Sequence, residues 1–148
     1  MPDKAEQKAA WEMYVELVTR VSVVELGPEE GIVGEALTSL YHLFDITRGI
    51  LRSYGPAVAR PKEGSDLSFG YIAVAILNGA LRPLLAKWHP LLLDREALRP
   101  QDTSAEEWER AWERNAELRG EMARGRGVLR DYAGLLARVA QVPPLTGP

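Results

Sequence analysis

The sequence predicts an all-α fold: an antiparallel up-down-up-down four-helix bundle with a long C-terminal helix. Three observations carry this. Apolar side chains recur at spacings of three and four in four separate stretches, the signature of amphipathic helices. The stretches are separated by helix-stopping pairs, Gly27-Pro28, Gly55-Pro56 and Arg99-Pro100. The chain of 148 residues has the size of one domain and an ordinary apolar fraction of 46%, enough for a core without staples. Residues 1–142 therefore read as a single helical-bundle domain and 143–148 as a disordered tail.

The first helix is expected over about residues 3–22, with Trp11, Tyr14, Val15, Val18 and Val21 on its apolar stripe. Residues 21–26 are β-branched enough to fray, and Gly27-Pro28 ends the helix. The second is expected over about 29–54, with Val33, Leu37, Leu40, Phe44, Leu51 and Tyr54 inward. A polar loop follows at 57–65. The third is expected over about 66–88 and has almost no polar face, which marks a central, buried helix. A competing reading makes 72–76 a strand and Asn78-Gly79 a hairpin turn, but no other segment offers strands to pair with. Pro83 should kink this helix against the carbonyl of Gly79. Pro90 should open a separate short helix through residue 98, because proline suits a first helical position.

The last helix begins at a capping box, Ser104 with Glu107. Its stripe is Trp108, Ala111, Trp112, Met122, Leu129, Tyr132, Leu136 and Val139, ending before Pro143-Pro144. The pattern spans about 36 residues, or ~54 Å at the helical rise. Either it overhangs the bundle or it breaks at Gly125-Arg126-Gly127. This topology puts Trp88, Trp108 and Trp112 at one end of the bundle and Trp11, with Tyr132, at the other.

Composition excludes several functions. There are no cysteines, so disulfides, thiolate metal sites and cysteine nucleophiles are absent, which fits a cytoplasmic protein. The net charge of −3 argues against a general nucleic-acid binder. Arg119, Arg124, Arg126 and Arg130 with Gly120, Gly125 and Gly127 resemble an Arg-Gly tract, but lie inside a helical pattern with no stacking aromatic. The N-terminus lacks a signal-peptide core. Residues 67–85 are interrupted at Arg82 after about 15 residues, short of the ~20 a membrane span needs. Neither histidine has a Glu three residues before it, so the di-metal bundle motif is missing. No catalytic residue, cofactor or metal is expected.

Four features compete for a functional role. His42 lies near Glu35, Ser39 and Asp45, as a general base held by a carboxylate or as an exposed histidine. Arg82, Lys87, Trp88 and His89 are candidates for a ligand or anion site, against the plainer reading of cations at a helix C-terminus. Asn78, polar in an apolar run, reads as a buried amide fixing helix register. Glu109, Glu113, Glu117 and Glu121 form an i,i+4 ridge of like charge that needs compensation. That compensation comes from intramolecular arginines or from a basic partner docking on Trp108, Trp112, Glu109, Glu113 and Glu117.

The stretch Leu81-Arg82-Pro83-Leu84-Leu85-Ala86-Lys87-Trp88-His89-Pro90 resembles a segment of small helical accessory proteins of bacterial conflict operons, with a vaguer likeness over 11–20 and 40–56. Such proteins accompany proteases, nucleotide-sensing ATPases or other effectors. The resemblance implies an adaptor in a bacterial defence or effector system and transfers no catalytic residue. The expectation is thus a non-enzymatic protein-interaction module with a protein partner, an effector or a second copy in a homodimer. The alternative is a small-molecule or anion binder at the Trp88-His89 end.

Overall fold

The computed structural model describes residues 3–19, 33–60 and 68–145. Among them the chain is all-α: α1 (Lys4–Thr19), α2 (Val33–Tyr54), a 3-10 turn (Pro56–Ala59), α3 (Phe69–Ala97), the short α4 (Ala105–Arg110) and the long α5 (Asn115–Ala140). The expected end of the first helix, the start of the second and most of the polar loop lie outside the described residues.

Contacts between neighbouring helices run in opposite senses. From α2 to α3, Gly34 faces Leu92, Tyr41 stacks on His89, and Phe44 lies under Arg82. From α3 to α5, Trp88 meets Glu121 and Leu84 meets Gly125. Gln7 near the start of α1 hydrogen-bonds Gln141 just past the end of α5, at 3.1 Å. The core between these helices is built on Met13, Tyr14, Leu17, Leu37, Leu40, Leu43, Phe69, Ile72, Ile76, Trp88 and Leu118.

Local chemistry sets the helix ends. Asp3 Oδ1 accepts the Glu6 N–H at 2.7 Å and Ser68 Oγ accepts the Tyr71 N–H at 3.1 Å. Ser104 Oγ accepts the Glu107 N–H at 3.1 Å, the first half of the expected capping box. Past α5, Gln141 takes a left-handed conformation (φ 62°) and the Val142 N–H reaches back to the Ala137 carbonyl at 3.0 Å, a Schellman closure. The Leu145 N–H then donates to Tyr14 Oη at 2.7 Å. The start of the expected disordered tail is therefore held against α1.

The α3 helix carries no strand or hairpin at 72–79, as expected, but departs from expectation in three ways. The Pro83 kink takes the form of a π turn, Ile76–Leu81, in which the Arg82 N–H bonds the Leu77 carbonyl five residues back. A widened turn directly before a proline relieves the clash with the preceding carbonyls. Pro90 lies inside the helix rather than opening a new one. Ala86, whose carbonyl it leaves unbonded, is exposed, as is Pro90, so water can take the missing partner's place. Finally, Asn78 is exposed and its Oδ1 accepts from Arg82 Nε at 3.1 Å; it is not a buried register device. Tyr71 and Val74, 62% and 45% exposed, share this outer face. By length and composition Phe69–Ala97 passes as a membrane span, but half of its most apolar window is buried inside the protein, as in a core helix.

The C-terminal pattern breaks at 111–114, not at Gly125-Arg126-Gly127, through which α5 is continuous. No Gly or Pro marks the break. It serves side-chain placement: Trp112 turns its ring edge-on to Trp88, centroids 6.0 Å apart at 89°, while Trp108 is clasped to the end of α3.

On α1 the buried face is Glu6, Ala9, Ala10, Met13, Tyr14 and Leu17, and Trp11 is 40% exposed. The expected stripe through Trp11 and Val15 is rotated from this buried face. Trp11 has Tyr14 as its aromatic neighbour, centroids 6.1 Å apart.

Candidate functional site

Two buried carboxylates organise the helix starts, and neither belongs to the helix it serves. Glu6 on α1, 1% exposed, accepts the Phe69 N–H at the start of α3 through Oε1 at 3.3 Å. Glu109 on α4, 5% exposed, accepts the Gly34 N–H in the first turn of α2 through Oε1 at 2.6 Å. The first turn of a helix leaves N–H groups unbonded and carries partial positive charge, so a carboxylate fits there. Gly34 permits the approach: a Cβ at that position would stand 3.0 Å from Glu109 Oε1 and 2.9 Å from Leu92 Cδ2.

Glu109 also closes one side of a cleft of about 480 Å³. The first turns of α2 supply Glu35, Leu37, Thr38 and His42, the end of α3 supplies His89, Leu92, Leu93 and Glu96, and α4 supplies Ala105 and Glu109. The leucines make an apolar floor. Among the described residues, three carboxylates and two imidazoles ring it, and no Lys or Arg lines it. Glu109 Oε2 is closed off from solvent and has no hydrogen-bond partner among the described residues. Burial pushes the Glu109 carboxyl above its ordinary range, against the opposing pull of the Gly34 N–H and of the Arg119 charge. His89 is half-buried and stacks on Tyr41, rings 4.9 Å apart and 14° from parallel. His42 is exposed at the cleft wall. Among the described residues no three His, Cys, Asp or Glu side chains gather as a metal site.

The predicted candidates divide. Arg82 and His89 share the α2-facing side of α3, but Arg82 lies over Phe44 at 5.3 Å and bonds Asn78, away from the cleft. Lys87 turns the other way, to Glu121 at 2.8 Å and Glu117 at 3.4 Å. Trp88 is fully buried. Its indole N–H donates to Glu121 Oε2, and Lys87 and Arg114 lie over its ring at 5.0 and 4.7 Å. Of the expected anion set, only His89 reaches the cleft, whose lining is acidic.

The glutamate ridge is not continuous, because the break at 111–114 separates its members. Glu109 is buried under α2. Glu117 pairs with Arg114 at 3.2 Å and with Lys87, and Glu121 with Lys87 and Trp88; these partners hold both carboxyls below their ordinary range. Trp108 is clasped internally. Its Nε1–H donates to the Arg95 carbonyl at 2.7 Å, Arg95 Nη2 returns a bond to the Trp108 carbonyl at 3.0 Å, and the guanidinium stacks 3.5 Å over the ring. Trp112 and Glu113 line a second groove of about 430 Å³ on the far side of the α3 end, beside Leu91, Leu98 and Arg114.

Sequence reasoning missed the cleft because its walls come from three separated segments. It also missed the two trans-capping glutamates. No family model, curated protein or solved structure matches this chain.

Proposed function

We propose that this chain is a non-enzymatic helical binding module whose ligand site is the cleft between the start of α2, the end of α3 and α4. The observation that carries this reading is a preformed, leucine-floored cleft of about 480 Å³ at the His89 end of the bundle, bordered among the described residues by Glu35, His42, His89 and Glu96. Concave apolar sites with a few convergent polar groups are the usual form of a small-molecule site. The volume suits a small organic molecule or one protruding side chain of a larger partner. Amide chemical-shift titration with a set of small apolar fragments tests it. Shifts should concentrate at Thr38, His42, His89 and Leu93, and Thr38→Trp, on an exposed wall position, should abolish them. Fragments that shift only residues outside the cleft refute the reading.

The second groove favours a second reading, the adaptor role. There Leu98, 73% exposed, stands beside Trp112 and Glu113, an aromatic and aliphatic anchor rimmed by charge, as at binding hot spots. The partner that fits is a protein segment with an apolar anchor, since the rim carries both Asp94 and Glu113 and the two arginines Arg95 and Arg114. In the conflict-operon setting, the candidate is the effector encoded beside this chain. Leu98→Asp should leave the fold intact and weaken that association at least tenfold. Unchanged association would remove the groove from consideration.

A further inference from the structure

The groove on the far side of the α3 end carries a projection and a recess on one patch. Leu98, just past the end of α3, is 73% exposed, more than any other large apolar side chain among the described residues. It stands on the rim of the groove of about 430 Å³ that it lines with Leu91, Ala111 and Trp112. At that exposure Leu98 does not fill the recess of its own chain, and Leu91 and Trp112 are only half-buried. The rim charges are of both signs. Asp94 and Glu113 are exposed and have no hydrogen-bond or ion-pair partner among the described residues. Arg114 bonds Glu117 through Nε and Nη2 at 3.2 and 3.3 Å, which leaves Nη1 uncommitted. Arg95, by contrast, is turned inward onto Trp108. A uniformly basic partner would meet Arg114, and a uniformly acidic one would meet Asp94 and Glu113. A second copy of the same patch, related by a twofold axis, brings an arginine to the acids, acids to the arginine and a leucine to each recess. That is the self-complementarity an isologous dimer requires.

We propose, resting on the reading of this groove as a docking surface, that its occupant is a second copy of the chain. In this twofold dimer Leu98 of each copy enters the groove of the other, and Glu113 of each meets Arg114 of the other. Trp112 and Leu91 receive the leucine, and the charged rim fixes the register, as aromatic anchors ringed by polar groups do at protein interfaces. The groove shares no lining residue with the cleft that holds His42 and His89, so pairing through it does not occupy the cleft.

Sedimentation equilibrium of the full chain over about 5–500 µM, a span that resolves micromolar association, tests this. The wild-type chain should show a monomer–dimer equilibrium with a Kd below about 100 µM. Leu98→Asp should raise that Kd at least about tenfold, as for the loss of an interface anchor, with the helical circular dichroism unchanged. Glu113→Arg and Arg114→Glu each set like charges against each other across the axis, and each should raise the Kd at least about threefold at low salt. Mixed in equal amounts, the two variants should pair with one another about as tightly as wild type, because every 113–114 contact then joins opposite charges. Failure of the mixture to recover overturns the twofold pairing. A dimer untouched by Leu98→Asp has its interface elsewhere, and the proposal falls. A wild-type chain that stays monomeric across the whole span overturns the second copy; the groove reading survives that result only if Leu98→Asp weakens association with the protein encoded beside this chain, which then is the occupant. The wild-type, Leu98→Asp and Glu113→Arg measurements decide the matter even if Arg114→Glu fails to fold.

Discussion

Removing the Glu109 carboxylate tests whether a side chain on α4 holds the start of α2. Glu109→Ala leaves the Gly34 N–H, bonded to Oε1 at 2.6 Å, without its partner in a buried setting. A lost helix cap costs about 0.5–2 kcal/mol and an unsatisfied buried donor about 1–3 kcal/mol. The two describe the same loss, so the expected destabilisation is about 2 kcal/mol. For a chain of this size that corresponds to a fall in Tm of roughly 4–8 °C. Glu109→Gln keeps a carbonyl oxygen for the Gly34 N–H and removes the buried charge, so it should be far milder. The pH dependence has a definite sign. Burial raises the Glu109 carboxyl above its ordinary 4.5 in the folded chain, so the native state holds this proton more tightly than the unfolded state. The corresponding stability is fully present below pH 4.5 and is lost as pH rises through the raised folded value. Glu109→Gln has no such loss, so its stability relative to wild type should improve as pH rises from 4 to 7. Urea denaturation of the three proteins at several pH values in that interval measures this. Equal stability of the Ala and Gln variants, or a Gln-minus-wild-type difference that is flat with pH, would refute the account.

Further substitutions probe the fold. Gly70→Ala should destabilise by about 1–3 kcal/mol through overpacking, because its Cβ would stand 2.6 Å from the Ala59 Cβ and 2.8 Å from the Ala59 Cα; an unchanged denaturation midpoint would contradict that contact. Gly127→Ala should stabilise by roughly 0.5–1 kcal/mol, since α5 is helical there and the new methyl meets nothing within 4 Å; a lower Tm would restore a break at 125–127. Asn78→Ala should change stability by less than about 0.5 kcal/mol, as for an exposed side chain, where a loss of 1–3 kcal/mol would mean the amide is buried after all. Trp88→Ala should cost about 3–5 kcal/mol and alter the near-ultraviolet circular dichroism of Trp112, its edge-on neighbour; a spectrum differing only by one independent indole would separate the two rings.

What the sequence determined by itself is local and periodic. The all-α class, four main helical stretches, the capping serine at 104, and the helix end before Pro143-Pro144 follow from side-chain spacing and cap chemistry, which act within a few residues. The burial of Val33, Leu37 and Leu40 on α2 follows from the same spacing, whereas Phe44, Leu51 and Tyr54 are only partly buried. Tertiary structure decided everything that depends on two segments meeting. Pro90 continues a helix because its freed carbonyl neighbour faces solvent, which no local propensity announces. The break at 111–114 carries no Gly or Pro because it is set by where Trp108 and Trp112 must reach, on Arg95 and Trp88. Glu6 and Glu109 look like surface charges in the sequence and are buried in the fold, because each meets the unbonded N–H groups of a helix distant along the chain. The cleft is of the same kind. Its leucines, histidines and glutamates are separately unremarkable, and it is the antiparallel packing of α2 on α3, with α4 closing the end, that gathers them around one apolar hollow.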